Sequence, residues 1–228
     1  MSDLVGLDLF CGAGGASLGY SMAGFEMWGV DIQPMPCYPF SFVQADALSL
    51  PGWLLESVYE GAFDFIHASP PCQHWSTMSN CKPGLAGTYP QLIEPARAFL
   101  RATGLPYVIE NVAGAPLLNP VKLCGTSFGL RVKRHRLFES NFLIPPLACK
   151  HDGYAMNPHN GAGRRRMESH FGVKFGDIEP AWRREMGVDW MRPHDARESF
   201  PPRYTHHIGK ALASWLALSE PESHAEAA

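Results

Sequence analysis

The N-terminal residues place an apolar segment, a glycine-rich turn and a helical pattern in direct succession. Residues 5–10 are typical of a compact strand, residues 11–15 (Cys-Gly-Ala-Gly-Gly) of a tight turn, and residues 16–23 of a helix. In this layout the backbone of the turn can approach a nucleotide-like ligand closely. The turn lacks both the phosphate-binding loop sequence and the wider glycine spacing of dinucleotide sites. We therefore predict a nucleoside-like cofactor without a pyrophosphate.

Two acidic residues follow the next predicted strands. Asp31 ends the strand at 26–30, and Asp46 follows a short strand at 41–43. An acid at the tip of the second strand is placed to bind ribose hydroxyls, and a third-strand acid could accept from an adenine amino group. Each acid alone could equally cap a helix. Their order after the glycine turn favours an adenosine site.

A cysteine follows the buried strand predicted at 63–68. Pro70 and Pro71 stiffen the backbone just before Cys72. A thiol at the carboxyl end of a parallel strand lies where open α/β sheets carry out their chemistry. The alternative is a proline-rich turn with an incidental core cysteine. The segment after it, up to Tyr89, is long enough to form a lid.

Further polar residues are predicted to reach the same edge of the sheet. After a helix at 91–102, the strand at 106–109 delivers Glu110 and Asn111. Partial desolvation there would raise the pKa of Glu110 and let it serve as an acid, unless it is a solvated loop residue. Residues 133–139 alternate basic and apolar side chains, which places Arg134 and Arg136 on one face of a strand.

The net charge of −3 hides an uneven distribution. Residues 1–121 carry −7, residues 122–210 carry +7, and the last eighteen residues carry −3. A cationic C-terminal half favours contact with a polyanion such as nucleic acid. No apolar run approaches the roughly 20 residues of a membrane span, and the N-terminus lacks a signal-peptide layout. The six cysteines form no CxxC pair, so we expect reduced thiols in a cytosolic setting.

Taken together, these segments resemble the S-adenosylmethionine-dependent DNA (cytosine-5) methyltransferases. The matching pieces, in family order, are residues 8–15, Asp31, Asp46, residues 70–73, residues 110–112, residues 134–136, and two C-terminal motifs at 186–190 and 204–209. Three features depart from the family pattern. Val132 replaces a glutamine, Lys210 replaces an asparagine, and the target-recognition segment is unusually short.

The resemblance implies S-adenosyl-L-methionine as the cofactor and a role for each matching residue. Cys72 would attack C6 of a cytosine flipped out of a DNA duplex, Glu110 would hold or protonate N3, and Arg136 would bind O2 with Arg134 nearby. The cofactor-binding residues would be Asp8, Phe10, Cys11, Gly12, Gly14, Gly15, Asp31, Ile32, Asp46, Ala47 and Pro70. The substrate-binding residues would be Gln73, Ser76, Asn111, Arg164, Arg165 and Arg166.

The predicted fold is a Rossmann-like α/β methyltransferase domain, with a mostly parallel sheet, helices on both faces and a small loop-rich recognition segment. Its cofactor-binding and catalytic core would cover residues 1–139 and the recognition segment residues 140–181. Residues 182–218 would return to the core, and residues 219–228 would form a flexible tail. Cys149, His151 and His159 fit the spacing of no common zinc module, so no metal is expected.

The predicted activity is methyl transfer to C5 of cytosine in double-stranded DNA, without membrane association. The resemblance implies a cytoplasmic protein of a bacterial or phage-infected cell and leaves open a cognate restriction endonuclease as partner. Three alternatives remain: the same chemistry on RNA or a free cytosine nucleotide, a non-catalytic nucleic-acid-binding relative, and transfer of a group other than methyl.

Overall fold

Seven strands form one twisted sheet in the computed structural model, which describes residues 4–72, 90–151, 168–169, 171–172 and 174–219. In chain order the strands are β1 (Leu4–Leu9), β2 (Phe25–Asp31), β3 (Ser41–Gln44), β4 (Phe65–Ala68), β5 (Tyr107–Asn111), β6 (Val121–Cys124) and β7 (His135–Ser140). Their spatial order is β3-β2-β1-β4-β5-β7-β6. The first five strands are parallel, and β7 runs antiparallel to both β5 and β6.

Helices connect the parallel strands and close the C-terminal part of the chain. They are α1 (Gly15–Met22), α2 (Gly52–Tyr59), α3 (Ile93–Thr103), α4 (Ile178–Met186), α5 (Pro193–Glu198) and α6 (Arg203–Ser219), with short 3₁₀ turns at Gly125–Phe128 and Phe175–Asp177. In the described part of the chain, no helix combines the length and the apolar character needed to cross a bilayer.

The sheet is buried on both faces, which explains why its central strands are almost wholly apolar. Leu7 and Leu9 of β1 face a cluster that includes Leu54 of α2 and Leu100 of α3. On the opposite face, α1 and α6 pack over Phe65 and other side chains of the parallel strands. This arrangement confirms the predicted mostly parallel sheet with helices on both faces.

The C-terminal helices return to the first βα unit. Gly19 of α1 has no room for a side chain, because a Cβ there would lie 2.1 Å from Thr205 Oγ1. The Thr205 hydroxyl donates to the carbonyl oxygen of Ala16 at 2.8 Å. Gly209 leaves similar space for Ala23. Close backbone approach therefore fixes α6 against α1, and α6 continues to Ser219, one residue into the predicted tail.

The strand order reverses between β1 and β4. In a doubly wound sheet this reversal opens a crevice beyond the carboxyl ends of the two strands, and ligands bind there. The residues that follow β1 and β4 are the glycine turn and the Cys72 loop. The fold thus brings the two most distinctive parts of the sequence to one edge of the sheet.

Candidate active site

Hydrogen bonds from β1 and β5 hold the loop that carries Cys72. The Ser69 amide donates to the carbonyl oxygen of Leu9 at 3.1 Å. The buried Asn111 side chain donates from Nδ2 to the carbonyl oxygen of Pro70 at 2.9 Å, and its Oδ1 accepts from the Val112 amide. Cys72 follows Pro71 and is half-buried. Asn111 is thereby committed to the backbone around the thiol.

An ion pair lies beside the thiol on the next two strands of the sheet. Arg136 Nε lies 2.8 Å from Glu110 Oε1, and both side chains are about one-tenth exposed. Arg136 also donates from Nη1 to the carbonyl oxygen of His135 at 3.0 Å. Burial raises the pKa of Glu110, and Arg136, a hydrogen bond from Ser69 and then Arg134 oppose the rise.

The protonation state of Cys72 follows from the same neighbours. Burial raises the pKa of the Cys72 thiol, the positive charge of Arg136 lowers it, and the negative charges of Glu110 and Glu198 raise it further. The net effect is a rise, so the thiol stays protonated at neutral pH in the free protein. Neutralising Glu110 or adding a positive charge nearby would favour the thiolate.

Arg134 contacts the C-terminal part of the chain. Its guanidinium donates from Nη2 to the carbonyl oxygen of Arg197 at 2.5 Å, and its own carbonyl oxygen accepts from the Tyr204 hydroxyl at 2.6 Å. Burial lowers the pKa of Arg134 to about 9, with the charge of Arg136 as the next cause. Val132, which departs from the family pattern, is fully buried in an apolar cluster with Trp182 and Met186. Packing and C-terminal contacts therefore support the arginine strand, a name used here for residues 134–136; β7 begins at His135, so Arg134 precedes the strand instead of lying within it as predicted.

A buried chain of hydrogen bonds that the sequence did not predict leads to Glu110. Tyr20 Oη lies 3.0 Å from His67 Nδ1, and His67 Nε2 lies 3.0 Å from Ser69 Oγ. Burial lowers the pKa of His67 to about 3, so its imidazole is neutral and carries one N–H. Because Ser69 donates to Glu110, the proton of His67 lies on Nε2, and Tyr20 donates to Nδ1. These hydrogen bonds therefore fix the orientation of the Glu110 carboxyl group from within the core.

The glycine turn forms the second half of the site. Phe10, Gly12 and Gly14 all have positive φ angles, of 58°, 49° and 87°. The Gly12 amide donates to Asp31 Oδ2 at 3.0 Å, which joins the tip of β1 to the tip of β2. A Cβ at Gly12 would meet no atom within 4 Å, so this backbone faces open space.

The predicted cofactor residues beyond the turn differ in their accessibility. Asp31 Oδ1 accepts from the Gln33 amide at 2.9 Å, and the neighbouring Ile32 is 62% exposed. Asp46 is exposed and accepts from the Leu48 amide at 2.9 Å, while Ala47 is buried. An open glycine backbone, an accessible carboxylate and an exposed apolar side chain fit a ribose and a flat purine ring.

The remaining predicted cofactor residues have structural contacts. Asp8 is fully buried, and its Oδ2 accepts a 2.5 Å hydrogen bond from Ser17 Oγ. A Cβ at Gly15 would lie 2.1 Å from Ser199 Oγ, so this glycine permits close packing against the C-terminal segment. Cys11 and Pro70 are buried as well. Of the predicted cofactor residues, some are therefore accessible to a ligand, and the buried ones support the loops around the site.

Several predicted features fall outside the described residues. These are the predicted lid up to Tyr89, His159, and the substrate-binding residues Gln73, Ser76, Arg164, Arg165 and Arg166.

Comparisons with known proteins agree with the fold and the motif order. A family model described as C-5 cytosine-specific DNA methylase matches residues 4–117, half of the chain. The type II methyltransferase M.XorII of Xanthomonas oryzae pv. oryzae is 32% identical over 126 residues, which cover 50% of this chain and 29% of M.XorII. The chain thus spans less than a third of the length of this curated relative.

Two solved structures share the architecture. Spodoptera frugiperda DNMT2 superposes with a TM-score of 0.59 at 12% identity and covers 92% of this chain and 99% of its own. The S. pombe Dnmt2 methyltransferase gives a TM-score of 0.57, also at 12% identity, with 93% and 99% covered. At this identity the likeness shows a shared fold and no more.

Proposed function

Since the chain belongs to the C-5 cytosine-specific DNA methylase family, we propose that it methylates C5 of cytosine in DNA through a covalent bond between Cys72 and C6. The methylases of this family depend on S-adenosylmethionine. The observation that supports the proposal most strongly is the 2.8 Å ion pair of Glu110 and Arg136 on the strands beside the Cys72 loop. A thiol, an acid and a guanidinium at one sheet edge suit attack on an electron-poor ring.

The thiolate of Cys72 would form a bond from Sγ to C6 and open the C5–C6 double bond. C5 then becomes nucleophilic and accepts a methyl group. Loss of the C5 proton to solvent then expels Cys72 as a thiolate and restores the double bond. S-adenosylmethionine, when bound, would supply the electrophilic methyl group and would be left as the thioether S-adenosylhomocysteine. A base paired in a duplex hides C6, so the target would be flipped out at a cost of a few kcal/mol.

Glu110 and Arg136 would hold the ring during the attack. The raised pKa of Glu110 favours a protonated carboxyl that can donate to N3, while Arg136 donates a hydrogen bond to the O2 oxygen. Protonation or neutralisation of Glu110 removes a negative charge near Cys72, and this charge raises the pKa of the thiol. A bound cytosine that keeps Glu110 protonated at N3 would thus lower the pKa of the Cys72 thiol and favour the nucleophilic thiolate.

The residues around the glycine turn would hold the cofactor by different means. Asp31, Ile32 and Asp46 would contact its ribose and adenine, and the backbone of Phe10, Gly12 and Gly14 would approach it closely. The other predicted cofactor residues would act through the loops they support: Asp8, Cys11, Gly15, Ala47 and Pro70. Asn111 would act on the substrate indirectly, because it bonds the Pro70 carbonyl oxygen and so positions the loop that carries Cys72.

Duplex DNA is the proposed substrate because residues 122–210 carry a charge of +7 and the family model describes a DNA methylase. Arg164, Arg165 and Arg166 would contribute phosphate contacts from the recognition segment. Electrostatic contacts of this kind grip a polymer without reading its sequence.

Mass spectrometry of nucleosides tests the proposal. The purified protein is incubated with methyl-labelled S-adenosylmethionine and, in separate reactions, with duplex DNA, RNA and a free cytosine nucleotide. We expect labelled 5-methyldeoxycytidine from DNA and none with Cys72→Ser, because a hydroxyl is a far weaker nucleophile at neutral pH. Cys37→Ser, which changes a half-buried thiol between β2 and β3, is the matched control. Label only in RNA or nucleotide would contradict the DNA assignment.

A further inference from the structure

Four side chains with metal-binding atoms converge next to the arginine strand. They are Cys124, His135, Cys149 and His151, and one ligand atom from each lies within 4.8 Å of all the others. Cys124 ends β6 and His135 begins β7, where the two residues are direct register partners. Cys149 and His151 approach from the segment that follows β7.

Three of the six separations among the four ligand atoms are those of a tetrahedral arrangement, and all six are below 4.8 Å. His135 Nε2 lies 3.2 Å from His151 Nε2, Cys124 Sγ lies 3.4 Å from His151 Nε2, and Cys149 Sγ lies 3.6 Å from His135 Nε2. Ligands on a tetrahedral zinc ion are separated by about 3.3 Å for two nitrogens and about 3.6 Å for nitrogen and sulfur. All three separations lie within 0.2 Å of these ideal values.

We propose that Cys124, His135, Cys149 and His151 form a structural zinc site of the Cys₂His₂ type. Two thiolates and two imidazoles in a tetrahedron are the ligand set that selects zinc over harder divalent cations. Two thiolates also balance the charge of the ion, so the loaded site carries no net charge. Four protein ligands leave no open coordination position, which makes the role structural.

The surroundings support the sulfur ligands and leave a path for the ion. Thr126 donates from Oγ1 to Cys124 Sγ at 3.3 Å and accepts from the Lys150 amide at 3.2 Å. This threonine links the two cysteine-bearing segments, as outer-shell groups of metal sites do. Cys124 is fully buried, whereas His151 is exposed. The metal would therefore enter from the side of His151.

The position of the site gives it a consequence for the arginines. His135 lies between Arg134 and Arg136, and Arg136 donates to the His135 carbonyl oxygen at 3.0 Å. Cys149 and His151 lie at the start of the recognition segment. A bound zinc ion would tie that segment to the beginning of β7 and hold the arginine strand in place. This positioning role rests on the proposed function, while the metal site itself does not.

Metal analysis tests the site directly. The full chain, without a polyhistidine tag, is purified under reducing conditions from zinc-supplemented cells and analysed by inductively coupled plasma mass spectrometry. We expect about one zinc ion per chain, and less than about 0.2 in Cys149→Ser and His151→Gln. Cys37→Ser and His194→Asn are matched controls, because they lie outside the cluster, and the His194 side chain is 80% exposed; both should keep the metal.

Two further measurements make the test independent of misfolding. Cobalt should give the visible absorption of a tetrahedral thiolate site in the metal-free wild type, and zinc should displace it. Saturating zinc should raise the melting temperature of metal-free protein by about 8–16 °C. The site is refuted by folded wild type that binds neither metal, by variants that retain zinc, or by a Cys124–Cys149 disulfide in the reduced preparation.

The positioning role has its own readout. Metal-free protein should lose kcat for methyl transfer while its dissociation constant for S-adenosylmethionine stays unchanged, because the glycine turn follows β1, three strands away from β7 in the sheet. An unchanged kcat would refute the positioning role and leave the zinc site intact. Absence of transfer in both zinc-loaded and metal-free protein, with zinc still bound stoichiometrically, would instead overturn the proposed function.

Discussion

The buried carboxyl of Asp8 makes a strong prediction about stability and pH. Burial raises the pKa of Asp8 to about 7; the Ser17 hydrogen bond opposes this rise, and the negative charges of Asp31 and Glu110 add to it. The Ser17 hydroxyl also lies 2.7 Å from Tyr38 Oη, which leaves the carboxyl in a closed polar cluster. The native protein therefore holds a proton on Asp8 that the unfolded chain releases near pH 3.9.

The sign of the effect follows from proton linkage. Between pH 3.9 and about 7 the native state binds more protons than the unfolded state, so the free energy of unfolding falls as the pH rises. The stabilising contribution is fully present below the unfolded pKa and is lost once the pH passes the folded one. With these two pKa values, raising the pH from 5 to 8 should cost about 2.5 kcal/mol from Asp8 alone.

Asp8→Asn isolates this contribution, because an amide does not titrate. Free energies of unfolding are measured by urea denaturation at pH 5, 6, 7 and 8 for both proteins. The free energy of unfolding of the wild type minus that of the variant should fall by about 2.5 kcal/mol between pH 5 and pH 8. Glu60→Gln, at an exposed position, controls for the substitution itself. A difference that stays constant within about 0.5 kcal/mol would refute the reasoning.

Two further predictions concern the chemistry at the sheet edge. Ser69→Ala removes the hydrogen bond that lowers the pKa of Glu110, so the limb of the pH–rate profile that belongs to Glu110 should move to higher pH. The same substitution leaves the buried His67 N–H without its acceptor, which should lower the free energy of unfolding by roughly 1–3 kcal/mol. Ser57→Ala on α2 is the control, because the Ser57 hydroxyl bonds only the Trp53 carbonyl among the described residues; it should change neither the pH–rate profile nor the stability. If the Glu110 limb of the profile stays in place in Ser69→Ala, the hydrogen bond from Ser69 does not tune the pKa of Glu110. Asp31→Ala should weaken S-adenosylmethionine binding by roughly 10- to 100-fold with little change in kcat, whereas Glu110→Gln should lower kcat by about 10²- to 10⁴-fold with cofactor affinity retained. Equal losses of both quantities in both variants, measured by calorimetry and initial rates, would contradict the division of the pocket.

The strands that position the site were predictable because parallel strands buried on both faces leave continuous apolar runs. The apolar runs at residues 63–68 and 106–109 lead into Cys72 and Glu110, and the parallel strands β4 and β5 bring these two residues to one edge of the sheet. Glu110 and Asn111 lie within β5, not after it, which explains why both are almost fully buried.

Other features depend on contacts between elements that are distant in sequence. Neither α2 nor β6 was predicted, since residues 52–59 and 121–124 carry weak patterns. The Arg97–Glu139 ion pair, with Nε and Oε1 2.7 Å apart, joins α3 to β7 and had no local signal. The same applies to the link from Tyr20 to His67, which only the packing of α1 on β4 creates.

The metal cluster shows the limit of spacing arguments most clearly. Cys149 and His151 were considered as zinc ligands with His159, and no metal was expected because the spacing matched no common module. The structure instead brings in Cys124 and His135, which are separated along the chain and meet only through the register of β6 and β7. A pairing register of two strands cannot be derived from ligand spacing.

Covalent trapping tests the central claim that Cys72 attacks C6 of cytosine. Duplex DNA containing 5-fluorocytosine is incubated with the protein and S-adenosylmethionine, and complexes are separated under denaturing conditions. Fluorine cannot leave C5 as a proton does, so wild type should accumulate as a covalent adduct whose modified peptide contains Cys72. The Cys72→Ser variant should bind the cofactor normally and form no adduct, while Cys37→Ser should be trapped like wild type. An adduct that persists in Cys72→Ser, or wild-type methylation of ordinary DNA without any trapping, would contradict the mechanism.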